Sequence, residues 1–73
     1  MKYDLAKELN AKMLQHTHEL NRFLLVIQDE CAAEEFQHYR MAVGKILGYM
    51  FLDIMEPIYK EFPSLEPPEF KDE

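Results

Sequence analysis

Two stripes of apolar residues run along the chain at the spacing of α-helical turns. In the first half, apolar side chains and one histidine recur three or four positions apart, which is the period of one helix face. This first stripe is Leu5, Leu9, Met13, His16, Leu20, Phe23 and Ile27. The second stripe is Phe36, Tyr39, Val43, Ile46, Met50, Ile54 and Ile58. The pattern predicts two helices, over about residues 3–28 and 34–62.

The interval between the stripes predicts a turn. The nine residues from Ile27 to Phe36 would rotate a continuous helix by roughly two and a half turns, so the stripes would face opposite sides of one rod. A break within residues 28–34 lets the chain fold back so that the stripes meet, with Asp29 as the predicted N-cap of the second helix. We therefore predict an all-α fold, an antiparallel helical hairpin over residues 1–62.

The second helix has another apolar flank beside its stripe, which we call the glycine flank. It consists of Met41, Gly44, Gly48, Leu52, Met55 and Tyr59. One partner helix cannot cover both sides of this helix, so a second copy is predicted to bind the flank and complete a four-helix bundle. Gly44 and Gly48 would let another backbone approach closely. Alternatively, each glycine makes room for an aromatic ring of the same chain.

Prolines mark the end of the hairpin. Pro57 cannot donate a hydrogen bond to the carbonyl of Asp53, so the second helix is predicted to kink or restart there. The remaining residues, 63–73, are rich in proline and acids, and they are predicted to form an extended tail. Leu65 and Phe70 are the apolar residues that could hold this tail against the helices.

Composition narrows the possible partners. Hydrophobic residues make up 48% of the 73 positions, which is more than a short chain easily covers, because a domain of this size buries only about 60% of its unfolded surface. Fourteen acids against eight bases give a net charge of −6. This charge argues against binding to a nucleic-acid backbone or an anionic membrane surface.

One pair of residues suggests metal chemistry. Glu35 and His38 have the i, i+3 spacing of carboxylate-bridged di-iron bundles. Such sites need several inward carboxylates, whereas this pair lies in the polar strip of its helix, so we interpret it as solvated and predict no cofactor. The alternative function is a small metal-binding or redox protein using Glu35 and His38, with Cys31 as an optional further group. A dimer would supply two copies of the pair.

The other candidate groups favour structural roles. Cys31 is the only cysteine, so it cannot form an internal disulfide, and its acidic neighbours Glu30, Glu34 and Glu35 are expected to raise the pKa of its thiol. His16 belongs to the first stripe and is predicted to be packed. His18 lies about 200° away around the helix, so the two histidines cannot bind one metal ion.

Nothing in the sequence predicts export or membrane insertion. The first ten residues carry acids and amides where a signal peptide needs an apolar core. The most apolar window, residues 46–59, is too short and too charged to span a bilayer. A cytoplasmic location is therefore expected.

The stretch GYMFLDIMEPIYKEFPSLEPPE, about the last third of the chain, resembles the C-terminal part of small uncharacterised bacterial helical-hairpin proteins. The resemblance includes no motif of known chemistry, so it implies a helical hairpin and no activity. Together with the apolar flank, it leads us to expect a non-enzymatic interaction protein that acts as a homodimer and that could also bind another protein.

Overall fold

A computed structural model of the chain describes residues 1–70. Within them every regular element is helical: α1 (Tyr3–Glu30), α2 (Ala33–Tyr49), a π-helical segment (Met50–Met55) and α3 (Glu56–Glu61). Two short 3₁₀ turns follow, at Pro63–Leu65 and Pro68–Phe70. The predicted all-α helical hairpin is confirmed. At 1.5 Å per residue, α1 is about 42 Å long, so it accounts for nearly all of the 44 Å length of the molecule.

The turn between α1 and α2 consists of two residues in extended conformation, Cys31 and Ala32. The N–H of Cys31 donates to the carbonyl of Ile27, and the N–H of Phe36 donates to the carbonyl of Ala32, so the helix ends keep backbone partners. Asp29 lies inside α1, which makes the prediction that it caps α2 wrong. No side chain caps α2, although two acids in its first turn interact favourably with the helix dipole.

The π-helical segment lies directly before Pro57. Here the N–H of Glu56 donates to the carbonyl of Phe51, five residues back rather than four. Pro57 then occupies the first turn of α3, where its missing N–H costs least. An i→i+5 turn accommodates one extra residue, so side chains beyond it are rotated by about one residue, roughly 100°, relative to a continuous α-helix.

This rotation corrects part of the predicted dimer interface. Met55 and Tyr59 belong to the predicted glycine flank, but they are only 3% and 5% exposed and lie in the core of the single chain. The predicted flank requires 3.6 residues per turn along the whole helix. The π-helical segment turns both side chains away from the flank and toward α1.

The core lies at one end of the hairpin, where the start of α1 meets α3. Its buried hydrophobic residues are Ala6, Met55, Ile58 and Tyr59. Between residues 11 and 54, all of which the structure describes, no side chain is fully buried. Most of the hairpin therefore has no closed core of its own.

The tail differs from the extended strap that the prolines predicted. Residues 63–70 form the two 3₁₀ turns, and Leu65 packs against the core while the ring of Phe70 meets Phe51 edge-on at 6.0 Å. The prediction of a uniformly extended tail is wrong for these residues, because proline's fixed φ suits a 3₁₀ turn as well as an extended chain. Residues 71–73 of the predicted tail lie outside the described part.

Candidate functional site

A long apolar groove runs between α1 and the helix that returns beside it. Its volume is about 570 Å³, and its lining residues are Met13, His16, Glu19, Leu20, Phe23, Met50 and Ile54. Ile54 also lines an adjoining hollow of about 220 Å³ that extends toward Met1 and Pro57. We call the surface around these two hollows the groove face.

The groove face explains where the two predicted stripes lie. The stripes were expected to meet and bury each other, but of their fourteen members only Ile58 is buried. Phe23 is 60% exposed and Ile46 is 52% exposed, although both belong to the stripes. The first stripe borders the groove from Leu9 to Phe23, and the second stripe borders it only from Met50 onward. Each helix therefore turns its apolar stripe partly toward solvent.

The histidines of α1 are also more exposed than the stripe predicts. His16, predicted to be packed, is exposed at the edge of the groove, so that prediction is wrong. His18 is also exposed. The face of α1 that contacts the core instead passes through Ala6 and Asn10, which are small or polar and therefore did not register as apolar positions.

A second apolar surface lies on α2 and the π-helical segment. Four of the six predicted interface residues form it: Met41, Gly44, Gly48 and Leu52, which we call the glycine face. Met41 is 61% exposed and Leu52 is 58% exposed. A Cβ atom placed on either glycine would meet no side chain and no other segment of residues 1–70 within 4 Å. The alternative that the glycines make room for an aromatic ring of the same chain is therefore wrong.

One polar cluster is buried in the core. The hydroxyl of Tyr59 donates to Oδ1 of Asn10 at 2.5 Å, and Nδ2 of Asn10 donates to the carbonyl of Leu65 at 3.4 Å. Asn10 is only 6% exposed, and it joins α1 to α3 and to the tail. Burial raises the pKa of the Tyr59 hydroxyl, and the carboxylate of Glu66 raises it further. Because a raised pKa disfavours ionisation, the Tyr59 hydroxyl keeps the proton that it donates to Asn10.

The residues of the metal alternative are not assembled into a site. Glu35 and His38 are both exposed on α2, and the His38 ring meets the neighbouring Tyr39 ring edge-on at 5.0 Å. A hydrogen bond to Glu35 raises the pKa of the Cys31 thiol, with smaller contributions from desolvation and from the charges of Glu35 and Glu30. The predicted direction of this shift is confirmed, and a raised pKa disfavours the thiolate that binds metals and attacks electrophiles. Along residues 1–70, no three His, Cys, Asp or Glu side chains come together as metal ligands.

Comparison with known proteins identifies no relative. No family model, no curated protein and no solved structure matches the chain. The resemblance to bacterial helical-hairpin proteins stays a prediction. Among residues 1–70, none of the helices has both the length and the apolar content needed to cross a membrane. The candidate site is therefore defined by its geometry alone, as two apolar faces.

Proposed function

We propose that the chain is a non-enzymatic interaction protein that acts as a homodimer, with the two hairpins packed as a four-helix bundle. The observation that carries this proposal is the amount of apolar surface that one chain leaves uncovered. Twelve large hydrophobic side chains are exposed, from Met1 to Phe70, against four hydrophobic side chains that are buried. Single exposed hydrophobic residues are ordinary, but contiguous apolar faces mark interaction surfaces.

The total surface supports the same proposal. The chain exposes 5805 Å², whereas a compact monomer of 8.7 kDa would expose about 4,700 Å². The excess of about 1,100 Å² is comparable to the roughly 800 Å² that each partner contributes to a standard protein interface. The radius of gyration is 14.5 Å, against about 11 Å for a compact domain of this length. A second copy would supply the missing half of the core.

The metal-binding or redox alternative receives no comparable support. Glu35 and His38 are exposed and have no third ligand among the described residues, so we do not propose the metal-binding function. A cytoplasmic location is part of the proposal, because the one cysteine cannot form an internal disulfide, as is usual in a reducing compartment.

Thermal melts followed by circular dichroism at two protein concentrations test the proposal. A hundredfold dilution lowers the free energy of unfolding of a dimer into two separate chains by about 2.7 kcal/mol. Two 73-residue chains unfold with an entropy of about 0.3 kcal/mol/K. The Tm should therefore fall by roughly 9 °C. Adding EDTA should leave both melts unchanged. A Tm that does not depend on concentration would contradict the homodimer, and a Tm lowered by EDTA would favour the metal alternative.

A further inference from the structure

The two apolar faces differ in what they could contribute to the proposed dimer. We infer that the second copy binds through the groove face, groove against groove, and that the glycine face stays on the outside of the dimer. This inference rests on the proposed function, since it names the surface through which the homodimer forms. It replaces the glycine flank, which the sequence predicted, as the dimer interface.

The first argument is the position of the stripes. An amphipathic helix in a folded protein directs its apolar stripe toward the core. Here Phe23 of α1 and Met50 of the returning helix line the groove. Ile46 lies one helical turn before Met50 on the same helix face. Phe23 and Ile46 are both more than half exposed. In a four-helix bundle the stripes of all four helices face a shared central axis rather than only their neighbour in the hairpin. The groove is therefore the position of that axis, and a second hairpin is needed to close it.

The second argument is size. The groove face continues through Ile54 from the hollow at Phe23 to the hollow near Met1, so it follows most of the length of the hairpin. The chain exposes about 1,100 Å² more surface than a compact monomer of its mass, which is enough for the roughly 800 Å² per partner of a standard interface. Around a twofold axis the same residues serve both copies, so a self-complementary groove is sufficient for a closed dimer.

The glycine face is smaller and belongs to one side of the hairpin. Its four residues all lie on α2 and the start of the π-helical segment, and the hollow beside it, at Lys45 and Tyr49, measures about 360 Å³. Contact through this face would pair α2 with α2 of the second copy and leave α1 at the outside. The stripe of α1, with Phe23 at 60% exposure, would then remain uncovered in the dimer.

Four matched charge substitutions test the assignment. The two groove variants are Phe23→Glu, inside the groove, and Ile46→Glu, one helical turn before Met50 on the same helix face. Met41→Glu and Leu52→Glu place the same carboxylate group on the glycine face. The replaced side chains are all between 52% and 61% exposed, so the cost to a single chain should be similar for the four variants. Sedimentation equilibrium should show that the two groove variants raise the dimer Kd by about thirtyfold or more, as for central interface residues. The glycine-face variants should keep the Kd of the unmodified protein within about threefold, as for peripheral positions.

Other outcomes would overturn the assignment. Weaker dimers only for Met41→Glu and Leu52→Glu would place the interface on the glycine face and leave the homodimer itself intact. An equal increase of the dimer Kd in all four variants, or no increase in any of them, would also overturn the assignment to the groove face. A monomeric unmodified protein would instead contradict the proposed function. Circular dichroism checks that each variant keeps its helix content, and Phe23→Ala replaces Phe23→Glu if the charged variant does not fold.

Discussion

Tyr59→Ala is expected to lower the free energy of unfolding by about 3–5 kcal/mol, as for other large aromatic residues removed from a core. Tyr59 is one of the four buried hydrophobic residues within residues 1–70, and its hydroxyl donates a hydrogen bond to Asn10. Small domains have total stabilities of roughly 5–15 kcal/mol, so this loss takes a large fraction of the total. Urea denaturation at one fixed protein concentration measures it, since the stability of a dimer depends on concentration.

Tyr59→Phe is the matched control, because it keeps the ring and removes only the hydroxyl. It leaves Oδ1 of Asn10 buried without its donor, at a cost of about 1–3 kcal/mol. The pKa of Tyr59 is raised by folding, so its contribution to stability is fully present below the unfolded value of about 10 and is lost as the pH rises through the folded value. As the pH rises above about 10, the free energy of unfolding should therefore decrease less for the Phe variant than for the unmodified protein. Equal effects of Ala and Phe at neutral pH would contradict the position of the ring in the core.

Ala6→Leu is expected to destabilise the chain by about 1–3 kcal/mol through overpacking. Ala6 is completely buried against Met55, Ile58 and Tyr59, where the start of α1 approaches α3. Ala11→Leu is the control, since Ala11 is exposed on the same helix and Leu is almost as good a helix former as Ala. Thermal melts should show Tm lower by several degrees for Ala6→Leu and nearly unchanged for Ala11→Leu. Equal Tm values for the two variants would contradict the close packing of α1 on α3.

The fold class could be predicted from the sequence because it depends on local signals. The 3.6-residue period and the lack of Gly and Pro before Gly44 are properties of neighbouring residues, and they were sufficient to predict the helices and the hairpin. The exact turn could not be predicted in the same way. Its residues, Cys31 and Ala32, have no strong turn preference. The position of the turn along the chain therefore depends on packing between the two helices rather than on the conformational preferences of these two residues.

The core could be predicted only in part, for two physical reasons. The first is the π-helical segment before Pro57, which changes the helix phase and moves Met55 and Tyr59 from the predicted flank into the core. The second is that Asn10 is buried although it is polar, because Tyr59 and Leu65 satisfy its side chain. A pattern search by hydrophobicity does not find such a residue. Two features of the sequence point to these departures. A proline follows an apolar run at the π-helical segment, and Asn10 is an asparagine flanked by helix formers.

The stripes were identified correctly, but their role was not. A stripe shows that a helix has an apolar face, and it does not show which helix covers that face. The expectation that Phe23 and Ile46 would be buried within one hairpin assumed that the partner was in the same chain. Their exposure is instead accounted for if a second copy covers this side of the hairpin.

Sedimentation equilibrium of the unmodified protein at micromolar concentration tests the central claim most directly. We expect a mass of twice the 8.7 kDa of one chain. Circular dichroism of the same sample checks that the protein is helical. A stable, fully helical species with the mass of a single chain would contradict it, because the apolar groove would then be exposed to solvent without a partner.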